Sequence, residues 1–179
     1  MNRIRFLLIL LIIPLLFQTC NKDDDEVVQN NHILFNDAEY GLDKGFFRFF
    51  GKLDPSETGF NFDVYLFSSG LTFNDNQFSG SGNLIFFEMY SPVSSELATG
   101  TYTFDSNETG NSNTFDDSFF IINFDVANET GTLVDISGGT IKVTKTDTTY
   151  EFVIDLTTTD SKILTGFYKG ILEQIYTSF

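Results

Sequence analysis

The sequence predicts an all-β fold, a single antiparallel β-sandwich or barrel-like domain of about eight to nine strands. Three observations predict it. From about residue 36 onward, short runs of β-branched and aromatic residues are separated by Gly, Asn, Asp and Ser clusters, with almost no helical periodicity. Several runs alternate apolar and polar residues with a period of two, the pattern of a half-buried antiparallel strand. Once an N-terminal targeting segment is set aside, roughly 150 residues remain, enough for one domain with a real core and too few for two.

Candidate strands follow in order at 45–50, 59–67, 82–90, 101–104 and 118–126. The second has Phe60, Phe62, Val64 and Leu66 on one face and Asn61, Asp63 and Tyr65 on the other. Near the C-terminus Tyr150, Phe152, Ile154 and Leu156 oppose Glu151, Val153 and Asp155, and Ile141 and Val143 oppose Lys142 and Thr144. The polar stretch 145–149 makes these two runs a hairpin, and a turn at 158–162 leads into a third strand at 163–172, so the last third reads as a three-stranded meander. On that last strand Gly166 and Gly170 share a face with Leu164, Tyr168 and Leu172, which implies a bend or a close backbone approach. Phenylalanine, with 22 copies, is the main core material, and adjacent pairs such as Phe46-Phe47 and Phe86-Phe87 must place one ring on each face of a sheet.

The first twenty residues have a different grammar. Asn2, Arg3 and Arg5 form a basic head, an apolar stretch runs over 6–17 with Pro14 inside it, and Gln18, Thr19 and Cys20 follow. That is the anatomy of a signal peptide, and the apolar stretch is shorter than the ~20 residues of a membrane-crossing helix. Here the chain resembles bacterial lipoproteins, in which a lipobox cysteine becomes the acylated first residue of the mature protein. Cys20 occupies that place, with Phe17, Gln18 and Thr19 where the family prefers an aliphatic and then small residues. The following Asn21, Lys22, Asp23, Asp24, Asp25 and Glu26 resemble the acidic export tag of surface-exposed lipoproteins of Bacteroidota. Gly100 to Phe104 and the stretch 165–170 resemble strands of uncharacterised lipoprotein domains of the same group. The resemblance implies a signal peptide over 1–19, a lipidated acidic linker over 20–35, an all-β domain over 36–179, and an outer-membrane, cell-surface address. A multiply acylated Cys20 would hold the membrane stably, because a single chain binds only marginally.

Charge and composition restrict the partners. The formal net charge is −15, and loss of the signal peptide with Arg3 and Arg5 makes it more negative. Such a surface repels phosphate backbones, so no nucleic-acid partner is expected. Cys20 is the only Cys, which leaves no internal disulfide, no cysteine nucleophile and no Cys/His zinc site. His32 is the only His, and no glycine-rich phosphate loop appears. Carboxylates are plentiful, but no local spacing identifies a catalytic pair.

The stretch 105–113, followed by Asp116, spaces oxygen ligands before a Gly turn and resembles a calcium loop, with Asp105, Asn107, Thr109 and Asn113 as ligands and Asp116 closing it. An ordinary Asn/Gly-rich loop is the competing reading. Asp147-Thr148-Thr149 resembles the O-glycosylation acceptor of exported Bacteroidota proteins. The absence of Trp removes the commonest sugar-stacking platform, and Tyr65, Tyr90, Tyr102 or Tyr168 could serve in that role only if exposed. The expectation is a tethered, non-catalytic binding or structural module without a required cofactor, facing an extracellular glycan or protein. The alternatives are a carboxylate-dependent glycan-acting enzyme and a lipocalin-like carrier of an apolar ligand.

Overall fold

The computed structural model describes residues 29–52 and 54–175. The signal peptide, Cys20 and the acidic tag at Lys22, Asp23, Asp24, Asp25 and Glu26 lie outside the described residues. The described chain is all β, with twelve strands: β1 (His32–Phe35), β2 (Ala38–Gly41), β3 (Lys44–Gly51), β4 (Phe60–Phe67), β5 (Leu71–Asn74), β6 (Gln77–Ser91), β7 (Gly100–Phe104), β8 (Thr114–Asp125), β9 (Thr130–Thr146), β10 (Thr149–Thr158), β11 (Ile163–Ile171) and β12 (Glu173–Ile175). They form one mixed sheet curled into a half-barrel, in the order β12-β3-β4-β6-β8-β7-β9-β10-β11-β1-β2, with β5 added beside β6.

Two expectations need correction. There are twelve strands rather than eight or nine, because β1, β2, β5 and β12 are only three or four residues long and show no alternation to read. The sheet is not purely antiparallel, since β7 runs parallel to β8 and β12 runs parallel to β3. The first strand opens at His32. The expected C-terminal meander is present, with β9 pairing β10 and β10 pairing β11 in antiparallel register.

The concave face holds the main core. Phe62, Val64 and Leu66 of β4, Ile85, Phe87 and Met89 of β6, and Phe152, Ile154 and Leu156 of β10 all point into it. Rings interlock there, as in the edge-on contacts of Phe47 with Phe62 at 5.6 Å and Phe87 with Phe115 at 6.3 Å. Gly166 fits its expected role, because an added Cβ would lie 2.6 Å from Ile33 Cδ1 and 2.8 Å from the His32 carbonyl. β11 therefore lets β1 approach through a missing side chain.

The convex face is covered in part by a second, smaller core. Phe46, Phe67, Leu71 and Leu84 pack there with Phe73 and Phe78. The last two rings lie on the β5–β6 hairpin, which folds over the sheet so that Phe73 sits 4.3 Å from Phe46. Adjacent phenylalanines thus divide as the alternation requires, Phe47 and Phe87 inward and Phe46 and Phe86 outward.

Candidate functional site: an acidic pocket on the outer face

Cross-strand register organises the outer face of β3, β4, β6 and β8 into rows. One row is aromatic: Phe46 opposes Tyr65, Tyr65 opposes Phe86, and Phe86 opposes Phe119. Their ring centroids are 4.6, 4.9 and 5.0 Å apart in turn. The next row is charged: Arg48 opposes Asp63, Asp63 opposes Glu88, and Glu88 opposes Asp116. Beyond it Asn61 opposes Tyr90, and Tyr90 opposes Thr114.

The charged row reaches Asp116 only because β8 is bulged. Phe115 and Phe120 both enter the main core, and an odd separation of five would place them on opposite faces of a regular strand. One extra residue resolves the conflict. The register shifts between Phe86/Phe119 and Glu88/Asp116, and Asp117 takes φ 25° within the shift. Asp116 is thereby aimed outward beside Glu88 while its carbonyl accepts a hydrogen bond from the Ser118 hydroxyl.

Three carboxylates in one row with a single guanidinium is an electrostatically unfavourable arrangement, since like charges directly opposite repel. Glu88 is held by two donors, Asn61 Nδ2 at 2.6 Å and the Tyr90 hydroxyl at 3.1 Å. Asp63 accepts from the Tyr65 hydroxyl at 3.3 Å. Burial, reinforced by Glu88, pushes the Asp63 carboxyl up to about 6 in spite of that bond and of Arg48. The guanidinium of Arg48 lies over Phe73, 5.0 Å from its ring centroid.

Asp116 is the most extreme member. It is 2 % exposed, and its Oδ2 atom has no hydrogen-bond partner. Burial first, then the charges of Glu88, Glu108, Asp105 and Asp117, push its carboxyl up to about 7. It opens onto a pocket of about 420 Å³ lined by Glu57, Glu88, Tyr90, Glu108, Asp116 and Asp117. The rim comes from two loops locked together. Gly59 N–H donates to the Gly110 carbonyl at 2.9 Å, Ser112 N–H donates to Thr58 Oγ1 at 2.9 Å, and Ser112 Oγ donates to the Thr58 carbonyl at 2.8 Å.

The residues expected as a calcium loop are divided by the fold. Asp105 is occupied by its own loop, accepting from Asn107 N–H at 3.0 Å, from Thr109 N–H at 3.1 Å and from the Thr109 hydroxyl. Those donors, the Thr109 hydroxyl foremost, hold the Asp105 carboxyl below its ordinary range. Asn113, at φ 62°, ties the loop to the sheet, its N–H donating to the Tyr90 carbonyl and its carbonyl accepting from Thr103 N–H. Of the five, Asp116 alone lines the pocket. Among the described residues no group of three or more His, Cys, Asp or Glu is placed to hold a metal ion.

The sequence reading missed Asp63, Glu88 and the hydroxyl of Tyr90 as neighbours of Asp116, because register rather than spacing assembles them, with Glu108 added from the loop before β8 and Asp117 from the bulge. The signal that could have found them is an acid at an outward position of each of three aromatic-rich strands. No protein-family model, curated protein or solved structure matches the chain, so the reading of this pocket rests on its own residues.

Proposed function

We propose that the chain is an exported lipoprotein, anchored by acyl chains on Cys20 at the outer membrane and displayed at the cell surface. Its β-domain acts as a non-catalytic binding module through the acidic pocket. One observation carries the binding reading: Asp116 is buried, lacks a partner at Oδ2 and lines a pocket rimmed by other carboxylates. An unsatisfied buried polar atom costs about 1–3 kcal/mol, more if charged, and a ligand that pairs with it offsets that cost. The anchor is supported by the basic, apolar and cysteine-terminated order of residues 1–20 and by the acidic run after it.

The anchor is tested by comparing wild type with Cys20→Ala, using intact mass of the membrane fraction and protease shaving of whole cells. Acylated, shaveable wild type beside an unacylated, released variant is the expected result. A wild type that keeps residues 1–19 and carries no lipid overturns it.

The pairing of Glu88 with Asp116 favours a second reading. Glu88 stands directly opposite Asp116 and is held by two donors, while burial pushes the Asp116 carboxyl up to about 7, the range of the proton-donating acid of glycan-cleaving enzymes. In that reading Asp116 protonates the leaving oxygen, and Asp116→Asn lowers turnover of aryl glycosides by about 10²–10⁴-fold. Absence of turnover by the wild type across such substrates discards it.

A further inference from the structure

We infer that the acidic pocket recognises a guanidinium group, seated between Glu88 and Asp116 and within reach of Glu108. The inference rests on the reading of the pocket as a ligand site and supplies the chemistry of the ligand.

The first argument is charge. The pocket is lined by five acids and Tyr90, with no Lys or Arg among them. The charged row behind it contains one cation, Arg48, at the end away from the pocket and directly opposite Asp63. Glu88 and Asp116 therefore meet a strongly negative field, which concentrates cations and repels anions.

The second argument is size. A pocket of about 420 Å³ has room for a group much larger than a bare ion. A bare calcium ion instead needs six to eight oxygens converging at about 2.3–2.6 Å. Among the described residues no three or more of His, Cys, Asp and Glu are grouped to hold a metal ion. An organic cation fills a space of that size where a bare ion does not.

The third argument is the kind of cation. Asp116 is buried, so the ligand must shed water to reach it. Guanidinium is more weakly hydrated than ammonium and presents planar pairs of N–H donors, which suit two carboxylates placed side by side by strand register. The Tyr90 side chain lines the same wall, and an aromatic face adds to the attraction for a guanidinium. At the other end of the row the guanidinium of Arg48 lies over Phe73, Phe46 and Tyr65, so this sheet face already seats a guanidinium on aromatic rings.

The test is calorimetric titration of the full chain in detergent micelles with N-acetyl-arginine methylamide, its neutral citrulline counterpart, its lysine counterpart and calcium chloride. The arginine derivative is expected to bind saturably, with the citrulline derivative at least tenfold weaker. Asp116→Asn is expected to weaken arginine binding at least tenfold, and the rim variant Glu108→Gln by a smaller factor. Circular dichroism of both variants establishes that they fold. A capped Gly-Arg-Gly peptide binding tenfold tighter than the capped amino acid places the guanidinium on a protein partner; equal affinity places it on a small molecule. If lysine or calcium binds as tightly as arginine and Asp116→Asn abolishes that binding, the pocket remains a ligand site and the guanidinium assignment falls. If no probe binds the folded wild type, both the assignment and the ligand-site reading fall.

Discussion

Asp63 and Asp116 flank Glu88, and both hold their protons more tightly in the folded chain than an ordinary aspartate at 3.8. Burial is the larger cause for each. Asp116 also faces Glu88, Glu108, Asp105 and Asp117, while Asp63 faces Glu88, Asp117, Arg48 and the Tyr65 hydroxyl. Because the folded state binds more protons than the unfolded state between pH 3.8 and about 7, stability falls as pH rises through that window. The carboxyls held low, Asp54, Asp105, Asp125 and Asp160, act in the opposite sense, and only below the ordinary carboxylate range. The urea midpoint is therefore expected to be higher at pH 5 than at pH 8. Asp116→Asn should flatten that slope and stabilise the domain at pH 8 by on the order of 1 kcal/mol, because it removes a buried charge facing other carboxylates. An Asp116→Asn variant with the wild-type slope would show that Asp116 does not hold its proton.

The strands legible in the sequence are those with one buried face and a run long enough to display it. β10 alternates as read, with Phe152, Ile154 and Leu156 buried, and β4 does so over 62–66, with Phe62, Val64 and Leu66 buried, while Asn61 on its polar face is buried as well. β1, β2 and β5 are four residues each, too short to show a period. Their turns did carry a signal. Asn36-Asp37 and Asp75-Asn76 are two-residue loops with φ of 52° and 60°, and of 50° and 62°, the left-handed pair that hairpin turns require and Asn and Asp tolerate. The first half of β9 was also missed, because Gly138-Gly139 breaks its pattern. Gly139 stands at φ 111°, where an added Cβ would lie 2.3 Å from the Asp155 carbonyl and 2.6 Å from the Leu156 Cα. Both contacts are backbone atoms of the paired strand, so no rotamer change relieves them. Gly139→Ala is expected to cost about 1–3 kcal/mol of unfolding free energy, measured by urea denaturation. A neutral result would show that β9 and β10 separate locally at no cost.

Long-range register decides what the whole molecule does with these parts. Arg48, Asp63, Glu88 and Asp116 are far apart in sequence and become neighbours only because four strands align, which is why no spacing rule identified the pocket. The same holds for the joining of the half-barrel's ends. β11 pairs with β10 and β1, and a single residue later, past Leu172, the chain lies parallel on β3, with Glu173 opposite Phe46, Gln174 opposite Phe47 and Ile175 opposite Arg48. Leu172 is buried in the main core, and Ile175 packs on the outer cluster with Phe46. Three residues thus link the last part of the chain to the strand that carries Arg48, and they cover an edge that would otherwise present unpaired backbone groups. Ending the chain after Leu172 should lower the unfolding midpoint and speed amide exchange in Lys44–Gly51, whose backbone would lose its partner on one side. Exchange in β9 and β10, which pair with each other away from that edge, should change little at first. Uniformly faster exchange across all strands would mean that β12 stabilises the domain as one cooperative unit, while unchanged exchange in β3 would mean that the link contributes nothing to holding the two ends together.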